Sequence, residues 1–185
     1  MKIYIVGCAK SGTWLLLWLF FGFENIQFID YKEERAIDYL NKQCVKRGKI
    51  GVWKRSWNMI FSHKRDLLSP PLERQLKIIR DEEIKIVYIK RNKEDVLRSE
   101  EGWVDEIRYD DCEKQASEYP GYIDCIVDYD ALVDNPDKTQ LHVKDCLGLE
   151  ILHDWSEFPN FVPDDVFSVH EGKPNYSKRK IGEAY

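Results

Sequence analysis

A glycine-containing turn between the first predicted strand and the first predicted helix carries the residues best suited to chemistry. Residues 7–13 read Gly-Cys-Ala-Lys-Ser-Gly-Thr. Such a turn exposes successive backbone N–H groups, and the positive end of the following helix favours a phosphate or a sulfate. The turn differs from the standard P-loop, because GxxxxGK[ST] requires lysine where this chain has Thr13, and its lysine is Lys10. The sequence therefore predicts an anion-binding loop of an unusual kind.

A second set of polar residues follows the predicted strand Ile84–Ile89. Arg91 comes just after this strand, and Ser99 lies two helical turns beyond Asn92, which is the expected start of the next helix. Both side chains are therefore expected to face one site. A planar guanidinium and a hydroxyl suit the oxygens of a phosphate. This spacing predicts a second anion-binding position.

The elements that must position these residues alternate between strand and helix. The predicted strands are Lys2–Val6, Ile26–Ile29, Trp57–Ser62, Ile84–Ile89 and Tyr122–Val127. Helices are predicted at residues 14–23, 33–47 and 136–147, after the pair Pro70 and Pro71, and from Asn92. This alternation predicts an α/β fold with three layers, in which helices flank a central parallel sheet of about five strands. Residues 1–150 are expected to form the core, and residues 151–185 an irregular segment that packs over the site.

Length and charge limit the possible classes of protein. A chain of 185 residues predicts one domain, and its net charge of −5 argues against a nucleic-acid partner or a membrane-surface partner. Basic residues nevertheless cluster at positions 46–55 and 178–180, where they could meet a small polyanion. The apolar run Trp14–Phe23 is too short for a bilayer-spanning helix, so it predicts a buried helix.

The five cysteines are widely spaced and form no CxxC pair, so the sequence predicts neither a zinc site nor a redox site. The start of the chain reads as a strand and not as a secretion signal. Reduced thiols in the cytoplasm are therefore expected.

Together the two anion-binding stretches resemble the sulfotransferase family. Its phosphosulfate loop reads approximately PKSGTTW, against AKSGTW at residues 9–14 here, and its 3′-phosphate motif reads approximately RNxxDxxxS, against RNKEDVLRS at residues 91–99. A family segment like YEDLxxNP, with an adenine-contacting tyrosine, is similar to YDALVDNP at residues 129–136. The three motifs occur in the family's order across roughly residues 1–150.

The resemblance implies a P-loop-like sulfotransferase fold and a site for 3′-phosphoadenosine 5′-phosphosulfate. It assigns the donor's phosphosulfate end to the loop residues Lys10, Ser11, Gly12, Thr13 and Trp14. It assigns the 3′-phosphate to Arg91 and Ser99, and adenine to Tyr129. The implied product is adenosine 3′,5′-bisphosphate, and no metal is expected.

The resemblance also implies a histidine base shortly after the third strand, in a segment like KTHLP. His63 follows the predicted strand Trp57–Ser62 and is the expected base, although a solvated loop histidine is the alternative. The family lysine two residues before the base corresponds to Phe61 here. The additional positive charge is therefore expected from Lys64 or Lys54, beside that of Lys10.

Two further departures from the family pattern concern the ends of the motifs. A single threonine precedes Trp14, so this tryptophan is expected either on the adenine or against the core. The family's C-terminal RKGxxGxW element is only loosely echoed by KRKIGE at residues 178–183. Arg179 and Lys180 are expected either to bind the 3′-phosphate or to lie in a frayed tail.

The implied reaction is in-line transfer of a sulfuryl group to a hydroxyl or amine of a small-molecule or saccharide acceptor. Two other functions remain open from the sequence. A small-molecule or nucleotide kinase with a deviant P-loop would require ATP and magnesium. A non-catalytic nucleotide-binding domain would bind its ligand equally well without His63.

Overall fold

Five parallel strands form a central sheet. A computed structural model describes residues 1–8, 11–28, 47–54, 72–98, 104–163 and Val166. The strands are β1 (Lys2–Val6), β2 (Ile26–Phe28), β3 (Ile50–Lys54), β4 (Ile84–Lys90) and β5 (Cys125–Asp128). Their spatial order is β2-β3-β1-β4-β5, and every neighbouring pair is parallel. The predicted parallel sheet of about five strands is confirmed.

Six helices and two short 3₁₀ turns accompany this sheet in the described ranges. The helices are α1 (Thr13–Phe20), α2 (Leu72–Asp81), α3 (Lys93–Arg98), α4 (Glu106–Glu118), α5 (Tyr129–Asp134) and α6 (Pro136–Leu147). The 3₁₀ turns are Pro120–Tyr122 and Trp155–Glu157. The sequence did not predict α4, which buries only Tyr109 and Cys112 and so shows no clear apolar stripe.

Burial on both faces of the sheet produces three layers. All five residues of β1 are buried, and successive side chains point to opposite faces. Tyr4 and Val6 join one apolar cluster with residues of α2, α3 and α4. Ile3 and Ile5 join the other cluster, with residues of α1, α5 and α6. The predicted arrangement of helices on both sides of the sheet is therefore confirmed.

The position of the third strand differs from the sequence prediction. β3 pairs with β1 so that Lys54 lies beside Ile5, whereas the strand was expected at residues 57–62. Those residues lie outside the described ranges, as do residues 33–46 of the predicted second helix. Gly51 and the flanking lysines interrupt the apolar pattern of β3, since glycine and lysine are poor strand formers.

Side-chain and glycine caps fix the ends of the helices near the site. The Asn92 side chain accepts a hydrogen bond from the Glu94 N–H at 2.8 Å, so the predicted start of α3 is confirmed. Asp128 caps α5 by accepting from the Ala131 N–H at 3.0 Å. Gly148, in the left-handed conformation, ends α6 where the sequence predicted. The Asn92 and Asp128 caps set where the helices that follow β4 and β5 begin.

Residues 149–163 contain one 3₁₀ turn and otherwise no helix, and they pack against α1. Ile151 forms an antiparallel bridge with Phe23, and the rings of Trp18 and Phe158 lie 6.1 Å apart. The coverage of the site by residues 151–185 stays a prediction, because most residues after position 163 lie outside the described ranges. Among the described helices, none is long and apolar enough to cross a bilayer.

Candidate nucleotide site at the carboxyl edge of the sheet

Four chain segments meet at the edge where the parallel strands end, here called the carboxyl edge. The loop at residues 7–12 follows β1, and Lys54 is the last residue of β3. Arg91 follows β4, and Tyr129 follows β5 directly. In open α/β sheets this edge is where ligands bind. The fold therefore gathers residues that are distant in sequence at one place.

Two glycines allow the loop to pack closely at this edge. Gly12 has φ +92°, and a Cβ atom there would lie 2.4 Å from Cδ2 of Tyr129. A Cβ atom on Gly7 would lie 2.7 Å from the Ile89 carbonyl oxygen. Both distances are shorter than real Cβ contacts. Only glycine fits at these positions without moving the loop or its neighbours.

The loop also contains a buried hydroxyl group. Ser11 is 1% exposed, and its Oγ has no hydrogen-bond partner among the described residues. Buried hydroxyl groups rarely lack a partner. Thr13, the first residue of α1, is also buried. A hydroxyl without a partner suits a loop whose polar groups donate hydrogen bonds to the oxygens of an anion.

Tyr129 connects the loop to Arg91. The guanidinium carbon of Arg91 lies 4.1 Å from the centre of the Tyr129 ring, at a cation–π distance. The same ring lies against Gly12. Three positions chosen from sequence, Gly12, Arg91 and Tyr129, are therefore neighbours in the structure.

A buried tyrosine on α4 binds the backbone just after the end of β4. The Tyr109 hydroxyl donates to the Arg91 carbonyl oxygen at 2.7 Å. Burial raises the pKa of Tyr109 to about 12, so the hydroxyl keeps its proton at neutral pH. Tyr109 thus fixes the backbone from which the Arg91 side chain extends. This contact was not anticipated, because α4 itself was not.

The carboxyl group of Asp130, in the first turn of α5, lies within electrostatic range of Arg91. Burial and the charges of Asp128 and Asp95 raise the pKa of the Asp130 carboxyl, whereas the Arg91 guanidinium lowers it. The surroundings of Arg91 therefore also contain negative charge.

Lys54 brings a second cation to the carboxyl edge. It is only 2% exposed, and its Nζ lies 3.8 Å from the centre of the Trp14 ring. Trp14 is half-buried and also lies 6.0 Å from Phe28, so it packs at the margin of the core. From the sequence, Lys54 belonged to a basic cluster that could meet a small polyanion, and it was one of two candidates for the additional positive charge near the base.

Several expected site residues lie outside the described ranges. They are Lys10, His63, Ser99, Arg179 and Lys180. Their roles stay predictions.

One group of potential metal ligands occurs in the described part of the chain, away from the carboxyl edge. It consists of Cys125, His142 and Cys146.

Comparisons with known proteins agree with the predicted fold. The structure of mouse sulfotransferase SULT7A1 complexed with PAP is similar, with a TM-score of 0.56 and 18% sequence identity. The similarity covers 92% of this chain and 66% of the mouse chain, so this chain matches about two thirds of that protein's length. No protein-family model and no curated protein matches the sequence. The predicted sulfotransferase fold is thereby confirmed.

Proposed function

We propose that this chain is a sulfotransferase that takes its sulfuryl group from 3′-phosphoadenosine 5′-phosphosulfate. The observation that carries the proposal is the meeting of Gly12, Tyr129 and Arg91 at the carboxyl edge of a sulfotransferase fold. Each of these residues belongs to a different one of the three motifs that resemble the family. The ligand PAP in the similar mouse structure has the chemistry of the product expected here, adenosine 3′,5′-bisphosphate.

The described residues fit a nucleotide that carries anions at two ends. The loop offers the Ser11 hydroxyl and the N-terminal end of α1 to the 5′ side. Arg91 offers a guanidinium to the 3′-phosphate, where Ser99 is expected to add a hydroxyl. The Tyr129 ring packs between Gly12 and Arg91 and holds these two positions at a fixed separation.

Lys54 and Lys10 are proposed to stabilise together the negative charge of the leaving phosphate. In the resembling family segment a lysine stands two residues before the base. Lys54 is the last residue of β3 and lies beside the first turn of α1. We therefore take Lys54, and not Phe61, as the counterpart of the family lysine. Two residues after Lys54 stands Ser56, which cannot act as a base at neutral pH. The base is therefore proposed to come from His63, further along the chain.

The proposed transfer needs three actions from the chain. His63 accepts the proton of the acceptor's hydroxyl or amine as the acceptor attacks sulfur. Lys10, Lys54 and the loop amides stabilise the charge that builds on the 5′-phosphate as its bond to sulfur breaks. Arg91 and Tyr129 keep the nucleotide in line for this attack. The acceptor is proposed to be a small molecule or a saccharide.

Replacing Arg91 by alanine tests the assignment of the 3′-phosphate. Wild-type protein is expected to bind adenosine 3′,5′-bisphosphate at least about tenfold more tightly than adenosine 5′-phosphate, because charge-assisted hydrogen bonds contribute about 1.5–3 kcal/mol each. Arg91→Ala should remove most of this preference and change the affinity for adenosine 5′-phosphate much less. Isothermal titration calorimetry measures both affinities.

Arg98→Ala is the matched control for this measurement. Arg98 lies on α3 and pairs with Glu94 at 3.1 Å on an exposed surface, so its loss should leave the preference unchanged. An Arg91→Ala protein that still prefers the bisphosphate tenfold would remove Arg91 from the 3′-phosphate site.

Replacing Lys54 by methionine separates a functional role from a structural one. Methionine keeps most of the side-chain volume and removes the buried charge. We expect a kcat/KM for the donor that is lower by at least about tenfold, and the melting temperature of the same preparations shows whether the variant is folded. Lys49→Met, at an exposed position just before β3, is the control and should change neither quantity. Full activity in Lys54→Met would rule out the proposed role.

A further inference from the structure

Three side chains with metal-binding atoms meet where β5 packs against α6. They are Cys125, His142 and Cys146, and their ligand atoms all lie within 4.8 Å of one another. Cys125 is the first residue of β5 and is buried. His142 and Cys146 are exposed and stand one helical turn apart on α6, so they share a face of the helix. The group thus combines two thiols and an imidazole from two elements.

The spacing of these atoms suits a tetrahedral ion. Zinc binds sulfur at about 2.3 Å and histidine nitrogen at about 2.0–2.1 Å, which places two ligand atoms about 3.6–3.8 Å apart. The Cys146 Sγ lies 3.8 Å from Nδ1 of His142 and 3.7 Å from its Nε2. Small side-chain movements would therefore bring all three ligands to one ion.

A hydrogen bond already orients the imidazole. The Nε2 atom of His142 lies 2.9 Å from the Ile126 carbonyl oxygen. Because a carbonyl only accepts, Nε2 carries the proton and Nδ1 keeps its lone pair. Histidines that bind metals commonly donate their other ring N–H to a carbonyl or carboxylate in this way. The backbone of β5 thus selects the tautomer that a metal ion needs.

We propose that Cys125, His142 and Cys146 form a binding site for one zinc ion. Thiolates and imidazole favour zinc over the hard cations magnesium and calcium. Three ligands come from the chain, and water fills the fourth position. Cys125 lies four residues before Tyr129, about 13 Å along the strand, so the ion is distant from the proposed nucleotide site. Its role is to tie the edge strand β5 to α6.

Metal titration of the reduced, chelator-treated full chain tests this proposal. Zinc should bind at one ion per chain in competition with a chromophoric chelator, and cobalt should give a thiolate-to-metal charge-transfer band. His142→Gln and Cys146→Ser should each weaken binding by at least about tenfold. Both side chains are exposed, so the variants are expected to fold. His153→Gln changes a half-buried histidine outside this group and should bind like wild type.

Thermal unfolding gives a second readout. Zinc should raise the melting temperature of wild type and of His153→Gln, and at the same zinc concentration it should raise that of His142→Gln or Cys146→Ser much less. Failure of the reduced protein to bind zinc would overturn the proposal, and so would binding that survives in both variants. A redox pair would replace the zinc site if two results came together. Mass spectrometry would find a Cys125–Cys146 disulfide, and the same protein would take up no zinc after reduction.

Discussion

Replacing His63 by alanine is expected to lower the rate of sulfuryl transfer by about 10²–10⁴-fold, because a positioned general base contributes that much to a proton transfer. The affinity for adenosine 3′,5′-bisphosphate should stay within about threefold, since the base acts on the acceptor and not on the nucleotide. Rates are measured with sulfur-labelled donor and an acceptor found by screening hydroxyl and amine compounds. Calorimetry measures the affinity of the same protein preparations.

Two further variants make the His63 experiment decisive. His153→Ala removes a half-buried histidine whose backbone N–H donates to the Gly22 carbonyl oxygen just after α1, and it should keep wild-type turnover. Ser56→Ala changes the residue that stands two positions after Lys54, and it should cost much less than His63→Ala. Turnover that is unchanged in His63→Ala at saturating acceptor would reject His63 as the base.

Replacing Gly12 by alanine is expected to weaken the binding of adenosine 3′,5′-bisphosphate on the order of a hundredfold. Two strains act at this position in the folded protein: a left-handed backbone costs about 1–2 kcal/mol in other residues, and overpacking costs about 1–3 kcal/mol. Movement of the loop relieves both strains in the free protein, and the binding geometry restores them, so they weaken binding. The new Cβ atom would lie 2.4 Å from the Tyr129 ring. The loop or the ring must therefore move, and either movement separates the two anion-binding positions. Calorimetry on the purified variant measures the loss.

Gly148→Ala is the matched control, because it carries the backbone penalty without the contact. Gly148 has φ +66°, and no atom lies within 4 Å of a Cβ atom built there. This variant should lose about 1–2 kcal/mol of stability and keep its nucleotide affinity. If Gly12→Ala binds the bisphosphate as Gly148→Ala does, the loop is not part of the nucleotide site.

Much of the fold was predictable from the sequence, because local signals and burial agree there. β1, β4 and α6 have clear apolar patterns and recognisable ends, and they were placed correctly. β3 was missed because its pattern contains Gly51 and ends on a lysine that is nevertheless buried. α4 was missed because tertiary packing, and not a wide apolar stripe, holds it.

The neighbours that make up the candidate site could be chosen from the sequence where a motif contains them, and not where only the packing of the fold brings them together. Gly12, Arg91 and Tyr129 were chosen from motif spacing, and they are neighbours. The burial of Lys54 depends on how β3 is placed against α1, which no local pattern encodes. The three residues of the proposed zinc site were not singled out from the sequence for a related reason. His142 and Cys146 share a helix face, but their meeting with Cys125 needs the packing of α6 on β5.

The most direct test of the proposed function is which nucleotide the protein binds. Calorimetry should compare adenosine 3′,5′-bisphosphate, adenosine 5′-phosphate and ATP, each with and without magnesium. We expect the bisphosphate to bind at least about tenfold more tightly than the other two, because only it carries the 3′-phosphate that Arg91 is proposed to bind. Magnesium should not strengthen its binding. Tighter, magnesium-dependent binding of ATP would contradict the sulfotransferase assignment and favour a kinase.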